Sequence, residues 1–182
     1  MVKASHFSKR PALAPALAPA LALALAAGLV AQTASAQWRV GQATPDGTST
    51  RVDVAVVEND SGHVLEVYRD DTQTVRGSFA IGGGFDTIDP GSCPTYRVDE
   101  RTPHRVTFDG GRCHILPKEA RFTLGPAWDP RNPELRRIMN GSRLVFRYRL
   151  ANGTYRETAF TLRGSKYALT TAIPSAEIVY DE

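Results

Sequence analysis

The stretch from Ser142 to Gly164 constrains this chain more than any other. Arg143-Leu144-Val145-Phe146-Arg147-Tyr148-Arg149-Leu150 alternates polar and apolar residues, the period of a strand with one face buried and one face wet. Ala151-Asn152-Gly153 follows as a turn. A three-residue loop with Gly153 in the left-handed region sets Leu144 opposite Phe160, Phe146 opposite Thr158 and Arg147 opposite Glu157. A two-residue turn would instead oppose Arg149 to Arg156, like charge against like. The hairpin dictates how the chain folds and is silent about what it does.

The rest of the sequence supplies further strands. Gln37 to Ala43 reads as an opening strand with Trp38 and Val40 on one face, and Thr50 to Glu58 places Val52, Val54 and Val56 in alternation. Asn59-Asp60-Ser61-Gly62 and Asp70-Asp71-Thr72-Gln73 carry turn chemistry, so His63 to Arg69 and the segment with Val75, Phe79 and Ile81 continue an antiparallel meander. Gly82-Gly83-Gly84 breaks it. No Lys-Ser or Lys-Thr follows, so a bend or loop is expected there rather than a phosphate cradle. Asp86 and Asp89 lack the dense spacing of a calcium loop and read as turn residues.

Beyond the loop, Tyr96 and Val98 mark a short strand. His104 to Phe108 and Arg112 to Leu116 are expected to form a second hairpin around Gly110-Gly111, with Phe108 facing a core-directed Cys113 and Val106 facing Ile115. That register puts His104 and His114 on opposite faces. Ala120, Phe122 and Leu124 alternate in one more strand. Asn132-Pro133-Glu134 is a helix start, with Leu135, Ile138 and Met139 on one face and Asn140-Gly141 as the stop. Tyr167 to Ile173 fits a helical turn or a strand, and Glu177 to Tyr180 has the texture of an edge strand.

The N-terminal stretch reads as a secretory signal peptide. Lys3, Lys9 and Arg10 precede an Ala/Leu run of about 12 uninterrupted residues, too short to span a bilayer, and Ala34-Ser35-Ala36 offers small residues for cleavage after Ala36. Cleavage removes three of the 22 Lys and Arg and none of the 19 Asp and Glu, which leaves 19 of each. The resulting net charge of zero, without a nucleic-acid-binding motif, argues against a nucleic-acid partner. Residues 37–182 are enough for one well-cored domain. Cys93 and Cys113 form an even pair in an oxidising compartment and read as a disulfide, against free thiols, a metal site or a nucleophile.

No catalytic constellation assembles from spacing, and no cofactor or metal is implied. There is no nucleophile elbow, zinc-protease helix or Ser-x-x-Lys, and Cys113-His114 point to opposite faces of a strand. The one clustered surface feature is arginine: Arg136 and Arg137 on the short helix, then Arg143, Arg147, Arg149 and Arg156 on the hairpin. Such a group suits carboxylates or phosphates of an envelope polymer, a lipid head group or an acidic protein. The plainer alternative is a solvated outer face with Arg147 paired to Glu157.

The closing pattern, Gly141-Ser142-Arg143-Leu144-Val145-Phe146 followed by Phe160-Thr161-Leu162-Arg163-Gly164-Ser165-Lys166-Tyr167-Ala168-Leu169, resembles that of the invasion-associated locus B family of bacterial exported proteins. The Trp38-Arg39-Val40 opening and the paired cysteines are similar too. The resemblance implies an immunoglobulin-like β-sandwich in the periplasm, with no established enzymatic activity and no catalytic residues to carry over. From the residues, the expectation is an all-β antiparallel sandwich with one short helix, exported and stapled by a disulfide. It would bind a protein, glycan or lipid partner without catalysis. The alternatives are a periplasmic hydrolase with a site built from loops such as Gly82 to Cys93, and an inhibitor of a hydrolase.

Overall fold

Runs of alternating β-branched and aromatic residues have to share their apolar faces, and here they do so as two antiparallel sheets. The computed structural model describes residues 37–127, 129 and 132–174. The expected signal peptide and the strand expected at Glu177 to Tyr180 lie outside the described residues.

The larger sheet begins as the meander expected from the turns. β1 (Arg39–Ala43), β2 (Val52–Glu58), β3 (Val64–Arg69) and β4 (Thr74–Ala80) pair in succession. Beyond β4 the sheet continues through β8 (Glu119–Pro126) to β7 (His114–Leu116). The smaller sheet has the order β10-β9-β5-β6, with β5 at Thr95–Val98, β6 at His104–Arg105, β9 at Arg143–Arg149 and β10 at Tyr155–Thr161. The β9–β10 hairpin has the register read from its turn: Leu144 opposes Phe160, Phe146 opposes Thr158 and Arg147 opposes Glu157. Gly153 takes φ of +87°.

Inner faces of the two sheets meet in an aromatic seam. Phe79 of β4 stacks on Phe146 of β9, with ring centroids 4.4 Å apart and planes 5° apart. Phe122, Tyr96 and Phe160 close around the Phe146 ring. Burial of this kind stabilises by roughly 1.5–3 kcal/mol for each large side chain. Trp38, buried ahead of β1, donates from Nε1 to the Thr161 carbonyl at 2.8 Å and ties the first strand to the last.

The helix expected after Asn132 is present as α1 (Pro133–Asn140), with the Asn132 side chain accepting from the Leu135 N–H at 3.1 Å. A second helix, α2 (Ser165–Ala172), resolves the segment that sequence left between helix and strand. It packs against β1, β2 and β3 and buries Ala168 and Leu169. Six strands outnumber the four that face them, and α2 supplies the missing cover, so the sandwich carries two short helices rather than one.

The expected second hairpin does not form. Its two halves go to different sheets: β6 pairs with β5, and β7 pairs with β8 around Pro117-Lys118. Asp109–Gly111 is a turn of 3-10 helix between them, closed by the Phe108 N–H to the Arg112 carbonyl at 2.5 Å. Each half has another partner, β7 through the tight Pro117-Lys118 turn to β8 and β6 on β5, which is itself paired with β9. Cys113 is therefore half-buried rather than directed into the core. It stands at disulfide distance from Cys93, Cα to Cα 5.5 Å, across 20 positions of sequence. His104 and His114 part company between the sheets.

Candidate functional site

Alternation along β9 sends Leu144, Phe146 and Tyr148 into the core and Arg143, Arg147 and Arg149 to the outer face of the smaller sheet. Pairing then adds two residues that are far away in sequence. Thr95 opposes both Arg147 and Arg105, and Arg97 opposes Val145, so Arg97 and Arg105 share that outer face. Five guanidinium groups occupy one small sheet surface. The acids near them are fewer: Asp89 lies 3.3 Å from Arg149, Glu100 lies 3.6 Å from Arg97, and Glu157 faces out beside Arg147.

Tyr155, at the start of the edge strand β10, lies beside two of these arginines. The Arg147 guanidinium lies 5.0 Å and that of Arg149 5.8 Å from its ring centroid, while the ring itself is 57% exposed. Attraction to one ring offsets part of the repulsion between the two like charges. Among the described residues no ion pair joins Arg147 to Glu157, so the cross-strand pairing expected from the register is one of position only. A flat face of outward arginines favours planar anions, because a guanidinium binds carboxylate or phosphate through two parallel hydrogen bonds.

The other three arginines read from sequence are placed elsewhere. Arg137 on α1 donates to Glu134 Oε1 at 2.5 Å and to His104 Nε2 at 2.6 Å, and Glu134 also accepts from the buried Tyr96 hydroxyl at 2.6 Å. Burial and the Glu134 hydrogen bond push the Tyr96 phenol far up. Arg136 is half-buried on the same helix. Arg156 opposes Tyr148 and so lies on the opposite face of its sheet from Arg147. Sequence spacing could not place Arg136 and Arg137, because the direction of α1 is set by packing, whereas the hairpin register already puts Arg156 on the face opposite Arg147.

The outer face of the larger sheet carries a second polar assembly. Arg76, 7% exposed, donates to Asp70 at 2.7 Å, to Asp109 at 2.6 and 3.0 Å, and to Thr123 at 2.6 Å. Its guanidinium also covers the Phe108 ring at 4.6 Å. Burial alone would raise the Asp70 carboxyl; hydrogen bonds from Thr72, Arg76 and the Thr74 N–H, with the Arg76 charge, outweigh it and hold the group below the ordinary aspartate range. Beside this assembly lies a cavity of 270 Å³ lined by Glu66, Tyr68, Ser78, Glu119, Arg121 and the Asp46 loop. Its groups are largely spent on each other: Ser78 and Arg121 both donate to Glu119 at 2.7 Å, Arg121 also pairs with Asp46, and Tyr68 donates to the Asp46 carbonyl at 3.0 Å. Burial is the main reason that the Tyr68 phenol is pushed up to about 12.

The glycine-rich loop divides the two aspartates expected as turn residues. Asp89 behaves as such, its side chain accepting from the Gly91 N–H at 2.9 Å. Asp86 reaches a second cavity of 270 Å³, beside His63, Tyr148 and Arg156. Among the described residues, no group of three or more His, Cys, Asp and Glu is placed to hold a metal ion, and no helix is long and apolar enough to cross a membrane.

These features define a class of protein, a two-sheet antiparallel sandwich with a flat, arginine-rich outer face. Its fold is similar to that in the crystal structure of invasion associated protein B from Bartonella henselae, with a TM-score of 0.53 at 15% sequence identity, covering 77% of this chain and 94% of that one. At that identity the likeness concerns the fold. No protein-family model matches the chain, and no curated protein matches it.

Proposed function

We propose that the protein is an exported, non-catalytic envelope protein that holds an anionic partner against the outer face of the smaller sheet. The observation that carries this reading is the gathering of Arg97, Arg105, Arg143, Arg147 and Arg149 on one face of a chain whose residues 37–182 are formally neutral. Such segregation steers an acidic partner by long-range attraction and grips it by bidentate hydrogen bonds at contact. Export is supported by the N-terminal Ala/Leu run and by a cysteine pair at disulfide distance. The fold likeness to an invasion associated protein supports a role at the envelope, in contact with other cells or their components.

The test is a cross-linking pull-down from an envelope extract, with the parent protein run beside the Arg143→Gln, Arg147→Gln, Arg149→Gln triple variant. A partner captured by the parent, released by moderate salt and lost by the folded variant supports the reading. Equal capture by both proteins excludes this face, and capture of nothing by either argues against a binding role.

A further inference from the structure

The cavity beside Asp86 differs from that on the larger sheet in its charged groups: Asp86 and Arg156 are not paired with each other or with another described residue. At its floor lies Tyr148, 5% exposed, with its hydroxyl 3.1 Å from His63 Nε2. The Gly82 N–H donates to His63 Nδ1 at 3.0 Å, so that nitrogen is the acceptor of the ring. Burial lowers the imidazole pKa, and the neutral ring then carries its hydrogen on Nε2 and donates it to the Tyr148 oxygen. The phenol proton is left over. Burial also raises the phenol pKa, so the proton stays in place, and no described residue accepts it.

Two charged groups stand over this hydroxyl. Arg156 and Asp86 both act on it electrostatically, in opposite senses, and neither makes an ion pair with another described residue. Thr158 adds a hydroxyl along the rim, and Ile81 and Leu150 supply an apolar wall. The preceding loop is pinned by Lys118 Nζ, which donates to the carbonyls of Gly83 at 3.2 Å and Gly84 at 2.7 Å. It carries Phe85 fully exposed, next in sequence to Asp86.

We infer that this cleft is a second ligand site, distinct from the arginine face, and that it takes a neutral polyhydroxylated ring such as a single sugar unit. The unspent Tyr148 proton requires an acceptor atom on the ligand. Arg156 offers further donors while Asp86 requires a ligand donor, and a group bearing hydroxyls on adjacent atoms meets both needs at once. A purely anionic ligand would meet the charge of Asp86, and a cationic one would meet that of Arg156. A volume of 270 Å³ admits one six-membered ring and its immediate shell. The floor hydroxyl is preset by the Gly82–His63 relay, so a bound ring meets that group already oriented.

Titration of the full chain with N-acetylglucosamine, galactose and mannose, followed by amide chemical shifts, tests this inference. Sodium acetate and choline serve as anionic and cationic controls. The expected result is millimolar binding of at least one sugar, with shifts concentrated at Gly82, Thr158 and the Asp86 loop. Arg156→Gln, on the rim and outside the core, and Tyr148→Phe should each weaken it by about tenfold or more. Binding of an oligosaccharide ending in the same sugar tells a glycan terminus from a free monosaccharide. The Arg143→Gln, Arg147→Gln, Arg149→Gln variant should bind the sugar as the parent does, which separates this site from the arginine face. Absence of any sugar-dependent shift in the cleft, or a response to acetate or choline alone, overturns the inference.

Discussion

Gly77 and Phe122 stand opposite each other on β4 and β8, and the phenyl ring lies across the bare Cα of the glycine. A Cβ placed at Gly77 would fall 2.3 to 2.9 Å from three ring carbons. A glycine inside a strand weakens it unless something uses the space, and here the ring does. It thereby reaches Tyr96 at 5.9 Å and Phe146 at 5.8 Å between centroids, across the sandwich. Gly77→Ala is therefore expected to destabilise by about 1–3 kcal/mol through overpacking, although strand propensity alone predicts a gain. Urea denaturation measures it, with Gly41→Ala as the control, because nothing stands within 4 Å of a Cβ there.

Asp70 is 4% exposed and serves as the anchor of Arg76. Removing one partner of a buried, hydrogen-bonded pair strands the other, so Asp70→Ala should cost about 3–5 kcal/mol. The same group sets a pH response. Its folded-state pKa is depressed, so its contribution is fully present above the ordinary aspartate range and is lost as pH falls through the lower folded value. Equilibrium unfolding as a function of pH should show the parent losing stability on the acid side more steeply than Asp70→Asn. Parallel curves would place the acid sensitivity elsewhere.

Glu66 runs the other way. Burial first and the nearby Glu119 second raise its pKa, against the opposing charge of Arg39. A carboxyl with a raised folded-state pKa opposes folding once pH is high enough to ionise it, and the cost disappears when it is protonated. Glu66→Gln should raise the thermal midpoint modestly at neutral pH and leave it unchanged in acid. A variant less stable than the parent at neutral pH would reveal an attractive role for the charge.

Cys93 precedes β5 of the smaller sheet and Cys113 precedes β7 of the larger, so a bond between them bridges the layers. Closing a loop of this length restricts the unfolded chain and should contribute about 3 kcal/mol. Denaturation with and without reductant measures it. The double Cys→Ser variant should match the reduced parent and ignore reductant; a parent unaffected by reductant would mean that the thiols are not bonded.

Several elements were legible because their determinants are local. The β9–β10 register follows from the Asn152-Gly153 turn and from an alternation that allows one pairing without opposing Arg149 to Arg156. The α1 start follows from Asn132 and Pro133, which satisfy the first-turn N–H groups within a few residues. The second hairpin expected from the sequence does not form, although its alternation is real. Period-2 patterning tells which face of a strand is buried and not which strand lies beside it, and β6 and β7 each had a competing neighbour. The α2 segment, with apolar residues spaced ambiguously between the two periods, took the form that covered an otherwise open part of the larger sheet.

The candidate sites divide in the same way. Alternation along Arg143–Arg149 is enough to send Arg143, Arg147 and Arg149 outward together, and it belongs to the sequence alone. The placing of Arg156 on the far face follows from the hairpin register, but the addition of Arg97 and Arg105 and the removal of Arg137 into a network with Glu134 and His104 belong to the tertiary structure. So does the meeting of His63, Asp86 and Tyr148, which come from three separate stretches of chain. Local backbone chemistry specifies turns, caps and the two faces of a strand over a few residues. Which faces then meet is decided only when the whole apolar surface is buried at once.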